Sequence, residues 1–177
     1  RTAAGVAVLL AGRGLGGNEP DLELRLRRWG SERGQRAEAG RRLAARWEKL
    51  VGGDGGRGGA GAAVALAFPD RVARRRSHDG EDWISVGGRG FRLDPTSPLA
   101  RAEWLAVAET QGAASGARIL SAAPLDPAEV ESLFADRIES GSHVRFDAAT
   151  GGVSATRERR LGAILLARGP DDRADPA

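Results

Sequence analysis

Arginine is the residue through which this sequence can do chemistry, and it is gathered in three places. Arg74, Arg75 and Arg76 are consecutive, Arg89 and Arg92 flank a glycine-rich bend, and Arg157, Arg159 and Arg160 sit close together near the end. A guanidinium offers a planar fork of N–H donors that matches a phosphate, so such clusters can track a nucleic-acid backbone. Each cluster also has a reading internal to the protein. The first follows a predicted helix end, where the helix dipole favours cations and where salt bridges to another domain can form. Gly88-Arg89-Gly90 lets a strand of nucleic acid come close to backbone, and it equally suits a barrel corner. The third cluster can pair with residues 103–150, which hold 8 acidic against 3 basic groups.

Other chemistries find little support. There is no cysteine, which removes disulfides, thiolate zinc sites and cysteine nucleophiles and fits a reducing cytoplasm. His78 and His143 stand apart in polar loops and make a poor metal site, even with Asp79, Glu81 and Asp82 near the first. No G-x-S-x-G nucleophile elbow occurs. The run from Gly52 to Gly59 has the glycine of a phosphate loop but lacks G-x-x-x-x-G-K-[ST]; the single lysine, Lys49, is followed by Leu50. No catalytic, cofactor-binding or metal-binding residue is therefore expected. No apolar run approaches the roughly 20 residues of a membrane span, and no basic, apolar, small-residue pattern of a signal segment is read, so none is expected.

The pI near 10.7 overstates a net charge of +3, because without Tyr or Cys almost nothing titrates between His and Arg. Distribution says more: residues 1–60 carry 12 basic and 7 acidic groups, and residues 151–169 carry 4 and 1, so basic ends bracket an acidic middle. A solvated mixed surface is the alternative reading of the same pattern. The sequence starts at Arg1 and has no methionine, which gives the expectation of a segment excised from a longer chain.

The elements that must position these arginines change in kind along the chain. Residues 1–51 read as helical. Val6, Leu9 and Leu10 form one stripe, Leu22, Leu26 and Trp29 a second, and Leu43, Trp47 and Leu50 a third. Residues 52–59 are a linker by composition, and 60–76 read as a connecting helix with a basic segment. From Asp82 the pattern shifts to strands: a bent strand over 83–93, others over 104–109 and 118–122, and a hairpin of 144–147 with 153–157. Residues 161–167 are predicted to continue the last strand. Asp126, Pro127 and Glu129 mark a helix start, and Val130, Leu133, Phe134 and Ile138 give that helix its buried face. Trp83, Phe91, Trp104, Phe134 and Phe146 are all expected in the core. The predicted fold is α+β: an α-helical segment, then a five-stranded OB-like barrel over 77–169 with one helix between the third and fourth strands, then a polar tail over 170–177.

One run ties these pieces to a family. Ala67-Phe68-Pro69-Asp70-Arg71-Val72-Ala73-Arg74-Arg75-Arg76 resembles the HrpB-like bacterial DEAH-type ATP-dependent helicases. The likeness continues in order through Gly88-Arg89-Gly90, Leu93-Asp94-Pro95, Ser97-Pro98-Leu99, Glu103-Trp104-Leu105 and Arg118-Ile119. It then runs through Ala122 to Asp126, Leu133 to Glu139 and Arg157 to Ala163, covering about residues 60–166. Residues 1–51 resemble the helical helicase-associated region that precedes the OB-like domain. The resemblance implies RecA-like motor domains that bind ATP and Mg elsewhere in the protein. It also implies that this chain, which has no phosphate loop or DEAH motif, hydrolyses no ATP by itself. Single-stranded RNA or DNA and the motor domains are the implied partners, and the cytoplasm the implied place. A protein-docking module using residues 103–150 and the 126–138 helix is the rival expectation.

Overall fold

The computed structural model describes residues 1–12, 14–51, 58–113, 115–147 and 151–171. Most of the expected linker and most of the expected tail lie outside the described residues.

Four helices come first: α1 (Thr2–Ala11), α2 (Leu22–Ser31), α3 (Gln35–Val51) and α4 (Ala60–Ala67). α1 and α4 are apolar nearly all round and are correspondingly sunk among neighbours. α2 starts where Asp21 accepts from the backbone N–H groups of Glu23 and Leu24 at 2.9 and 3.0 Å, and it buries Leu22 and Trp29 as its stripe predicts. α3 departs from expectation. Leu43 and Leu50 are 37% and 74% exposed, while Ala37 and Gly40 are buried. The close approach of Trp29 selects this small-residue face: a Cβ on Gly40 would lie 3.0 Å from its ring.

The barrel consists of β1 (Val72–Arg75), β2 (Asp82–Ser85), β3 (Gly90–Arg92), β4 (Trp104–Gln111) and β5 (Ser115–Leu125). The strands close in the order β1-β2-β3-β5-β4. β3 and β5 run parallel and β4 pairs antiparallel with β1, so the α+β class and the OB-like barrel are as expected. The strands that build it are not all as expected. The segment read as a basic connection supplies β1, whose Val72 and Ala73 are both fully buried on opposite faces. The predicted bent strand is two strands joined by a tight turn in which Gly88 has φ +81°. The helix between the third and fourth strands is a 3-10 turn, Pro98–Arg101. The Asp126-capped helix, α5 (Pro127–Leu133), follows the fifth strand instead.

The expected hairpin is longer than predicted and belongs to a separate sheet rather than to the barrel. It consists of β6 (Ile138–Asp147), β7 (Gly152–Leu161) and β8 (Ile164–Pro170), in that order. Residues 161–167 do not continue the previous strand. The chain reverses at Gly162, at φ +54°, where a Cβ would stand 2.4 Å from the Val86 carbonyl oxygen. The neighbouring Ala163 N–H donates to that oxygen at 2.9 Å and pins this sheet's root to the barrel.

Separate cores fill the barrel, around Trp83, Phe91, Leu105 and Ile119, and the space between barrel, helices and second sheet, around Val64, Val72, Leu161 and Ile164. A buried cation ties the helices to the barrel. Arg25, 6% exposed, donates to the carbonyls of Leu9 and Leu15 at 3.2 and 3.4 Å and to Ser121 Oγ at 3.4 Å; Ser121 in turn donates to Glu109 at 2.6 Å. Burial lowers the pKa of Arg25, and the carboxylates of Glu109 and Glu19 oppose that shift.

α4 packs on β5 so closely that a Cβ on Gly61 would lie 2.2 Å from the Pro124 carbonyl oxygen. Glycine to alanine in a free helix gains up to about 1 kcal/mol. Here Gly61→Ala is expected to lose about 1–3 kcal/mol, as overpacking does, read as a lower denaturation midpoint in urea.

Candidate nucleic-acid interface

β2, β3 and the loops at one mouth of the barrel form an open groove of about 710 Å³. Arg76 and Ser77 come from the β1–β2 connection, Gly88 from the β2–β3 turn, Gly90 from the first position of β3, and Ser115 and Gly116 from the start of β5. Three glycines leave the lining free of Cβ atoms at those points. A second recess of about 430 Å³ lies between β1 and the root of the second sheet and shares Arg76, Ser77 and Ile84 with the first. Arg76 therefore stands where the two meet.

The eight arginines singled out in the sequence divide into two groups. Five are held by the protein. Arg74 donates to Glu103 at 2.8 and 3.1 Å and to the Leu165 carbonyl at 2.9 Å, with its guanidinium 5.5 Å from the Trp104 ring centre. Arg75 donates to the Ala100 carbonyl at 3.1 Å. Arg92 pairs with Glu81 and lies 3.7 Å from Asp82. Arg159 pairs with Glu131 at 2.9 Å, which holds that carboxyl below its usual pKa. Arg160 pairs with Glu158 at 2.8 Å.

The other three, Arg76, Arg89 and Arg157, are exposed, and their guanidinium groups have no hydrogen-bond or ion-pair partner among the described residues. Arg89 lies 6.0 Å above the ring of Phe91. Arg76 lines the groove and Arg89 sits in the turn between two of its lining glycines, Gly88 and Gly90, whereas Arg157 is on β7 in the other sheet.

Glu158 organises the second sheet. It is 4% exposed, between Arg160 and Arg168, with His143 at 3.8 Å. Hydrogen bonds from Arg160 and then Arg168 lower its pKa. Among the described residues no three metal-ligating side chains cluster, and no helix is long and apolar enough to cross a membrane.

Four of the five aromatics expected in the core are there: Trp83, Phe91, Trp104 and Phe134. Phe146 is not; it is 65% exposed near the far end of β6, because that part of the hairpin extends beyond anything it could pack against. Arg118 also faces solvent on β5, opposite Arg92, and its place between buried Ala117 and Ile119 is the period-two signal that marks an outward residue.

No family model matches the sequence. The ATP-dependent RNA helicase HrpB of Escherichia coli K12 is 37% identical over 105 residues, which is 58% of this chain and 13% of that protein. Crystal structures of HrpB from E. coli match the whole fold. One, of the DExH-box NTPase HrpB, has a TM-score of 0.78 at 29% identity and covers 98% of this chain and 21% of the other. A second, of the DEAH/RHA helicase HrpB, has a TM-score of 0.72 at 25% identity over 99% of this chain and 21% of the other. The chain thus spans a minor part of the relatives it matches.

The division among arginines is testable. Arg74→Ala should lower unfolding stability by about 1–2 kcal/mol, since charge-assisted bonds are lost from a partly exposed site, while Arg76→Ala should leave it unchanged in the same urea titration. Glu158 supplies a pH dependence. Its folded pKa lies below the unfolded one, so its contribution is present above the unfolded value, about 4.3, and is lost as pH falls through the folded value. The stability gap between the wild type and Glu158→Gln should be widest near neutrality and close in acid.

Proposed function

For a chain that is HrpB-like in sequence and in fold, we propose the role of a non-catalytic accessory region of an ATP-dependent helicase, holding single-stranded RNA or DNA against RecA-like motor domains of the same protein. The motor would supply ATP and Mg chemistry; the residues here supply grip. The observation that carries this reading is the groove at the barrel mouth, lined by Arg76, with Arg89 in the turn between its lining glycines Gly88 and Gly90. It lies on strands β2 and β3 and their adjoining loops, where OB-folds take oligonucleotides. Charge meets phosphate there, and the glycines let a sugar–phosphate backbone come close.

The same geometry makes the grip weak and tolerant of sequence. Trp83 and Phe91 are buried beneath the groove, so no ring in it is laid open for stacking. Arg74, Arg75 and Arg92 are occupied within the protein. Only the arginines left over can meet phosphates without breaking internal bonds.

A second reading has its own observation. An apolar recess of about 780 Å³ between α1, α3, α4 and α5 includes Val51, Leu66 and Leu133, a lining suited to docking the motor or another protein. The two readings separate by substitution. Arg76→Glu should abolish oligonucleotide binding and spare motor docking if the first holds; Leu66→Glu should do the reverse if the second does.

Fluorescence anisotropy with labelled oligouridylate and oligothymidylate tests the grip directly. Two groove arginines meeting phosphates of a single strand contribute about −1.4 to the slope of log K against log salt. Arg76→Ala and Arg89→Ala should each reduce it by about 0.7. Affinity that does not respond to salt, or to either substitution, would reject the groove as the site.

A further inference from the structure

Of the eight aromatic side chains in this protein, Phe146 alone is exposed. Its setting is specific. The β6–β7 register places Phe146 opposite Val153, Val144 opposite Ala155 and Ser142 opposite Arg157, so these side chains share one face of a two-stranded ribbon. Arg145, opposite Ser154, lies on the other face. Neither Arg145 nor Arg157 has a side-chain partner among the described residues. Four residues of strand separate the Phe146 pair from the Arg157 pair, about 13 Å, a reach that a short run of nucleotides covers. At its root the same sheet borders the recess that includes Arg76.

An exposed phenyl ring on one face with an unpaired guanidinium, Arg157, four residues along the same face matches a ligand with flat apolar faces and regular negative charge. We propose that the distal β6–β7 ribbon is a second contact for single-stranded nucleic acid, with Phe146 stacking on a base and Arg157 meeting a phosphate. This rests on the reading of the chain as a nucleic-acid-holding region and adds the stacking surface that the barrel groove lacks. Stacking on an aromatic is sequence-tolerant, because every base has a π-face, and so suits a holding role.

The test uses the full chain and a fluorescein-labelled oligouridylate at low salt. Phe146→Ala and Phe146→Leu should each weaken binding about five-fold or more, with thermal midpoints unchanged because the side chain is exposed. Phe146→Trp should bind like the wild type, and its added fluorescence should be quenched by the oligonucleotide. Wild-type affinity in the alanine and leucine variants, with weakened binding in Arg76→Ala, overturns the ribbon and leaves the groove standing. Full affinity in the leucine variant alone also overturns it, since apolarity rather than stacking would then suffice. Loss of motor docking with unchanged oligonucleotide affinity assigns the ribbon to a protein partner instead. Failure of the wild type to bind at all removes the holding role itself.

Discussion

The pairing of β1 with β4 is the constraint on which the rest of this structure depends. It turns a curled sheet into a closed barrel, and it does so with a strand of four residues. Val72 points out into the core shared with the helices and the second sheet, and Ala73 points into the barrel. The next residue, Arg74, reaches both Glu103 and the Leu165 carbonyl, so the strand that closes the barrel also fastens the neighbouring sheet. Arg75 is drawn back to the Ala100 carbonyl. By the third arginine the strand has ended, and Arg76 emerges at the lip of the groove. Three identical residues in a row thus have three different surroundings, set by distance from one pairing.

Much of the architecture was legible in the sequence where a local signal acts alone. Asp126 caps α5 because its carboxylate satisfies a nearby N–H group, and that needs no tertiary information. Leu22, Leu26 and Trp29 announce a buried face by spacing. β1 was hidden because Arg71, Arg74, Arg75 and Arg76 outnumber Val72 and Ala73, and a strand with two buried residues leaves no period to detect. α3 misled for the opposite reason: its large apolar residues make the visible stripe, but Trp29 needs a close neighbour and takes the smaller side chains.

The candidate site was legible as a set and not as individuals. The sequence marks where arginines concentrate. Which of them are free depends on carboxylates and carbonyls far away along the chain, such as Glu103 for Arg74 and Glu131 for Arg159. An acidic middle segment was visible as a rival partner, and part of the arginine charge is indeed spent there. Phe146 was misjudged because apolar residues in strands are usually buried, and only the length of the ribbon past its supporting neighbours reveals that this one is not.

Arg25 gives the molecule a mechanical character. Its guanidinium is shared among α1, the loop after it and β5, and the bridge of Asp21 to Ala122 lies close by. A buried cation with distributed acceptors resists sliding, because any shift of one element breaks bonds to the others in a place water does not reach. The helical region and the barrel therefore travel as one lever. Through Ser121 that tie reaches β5, the strand whose first residues, Ser115 and Gly116, line the groove.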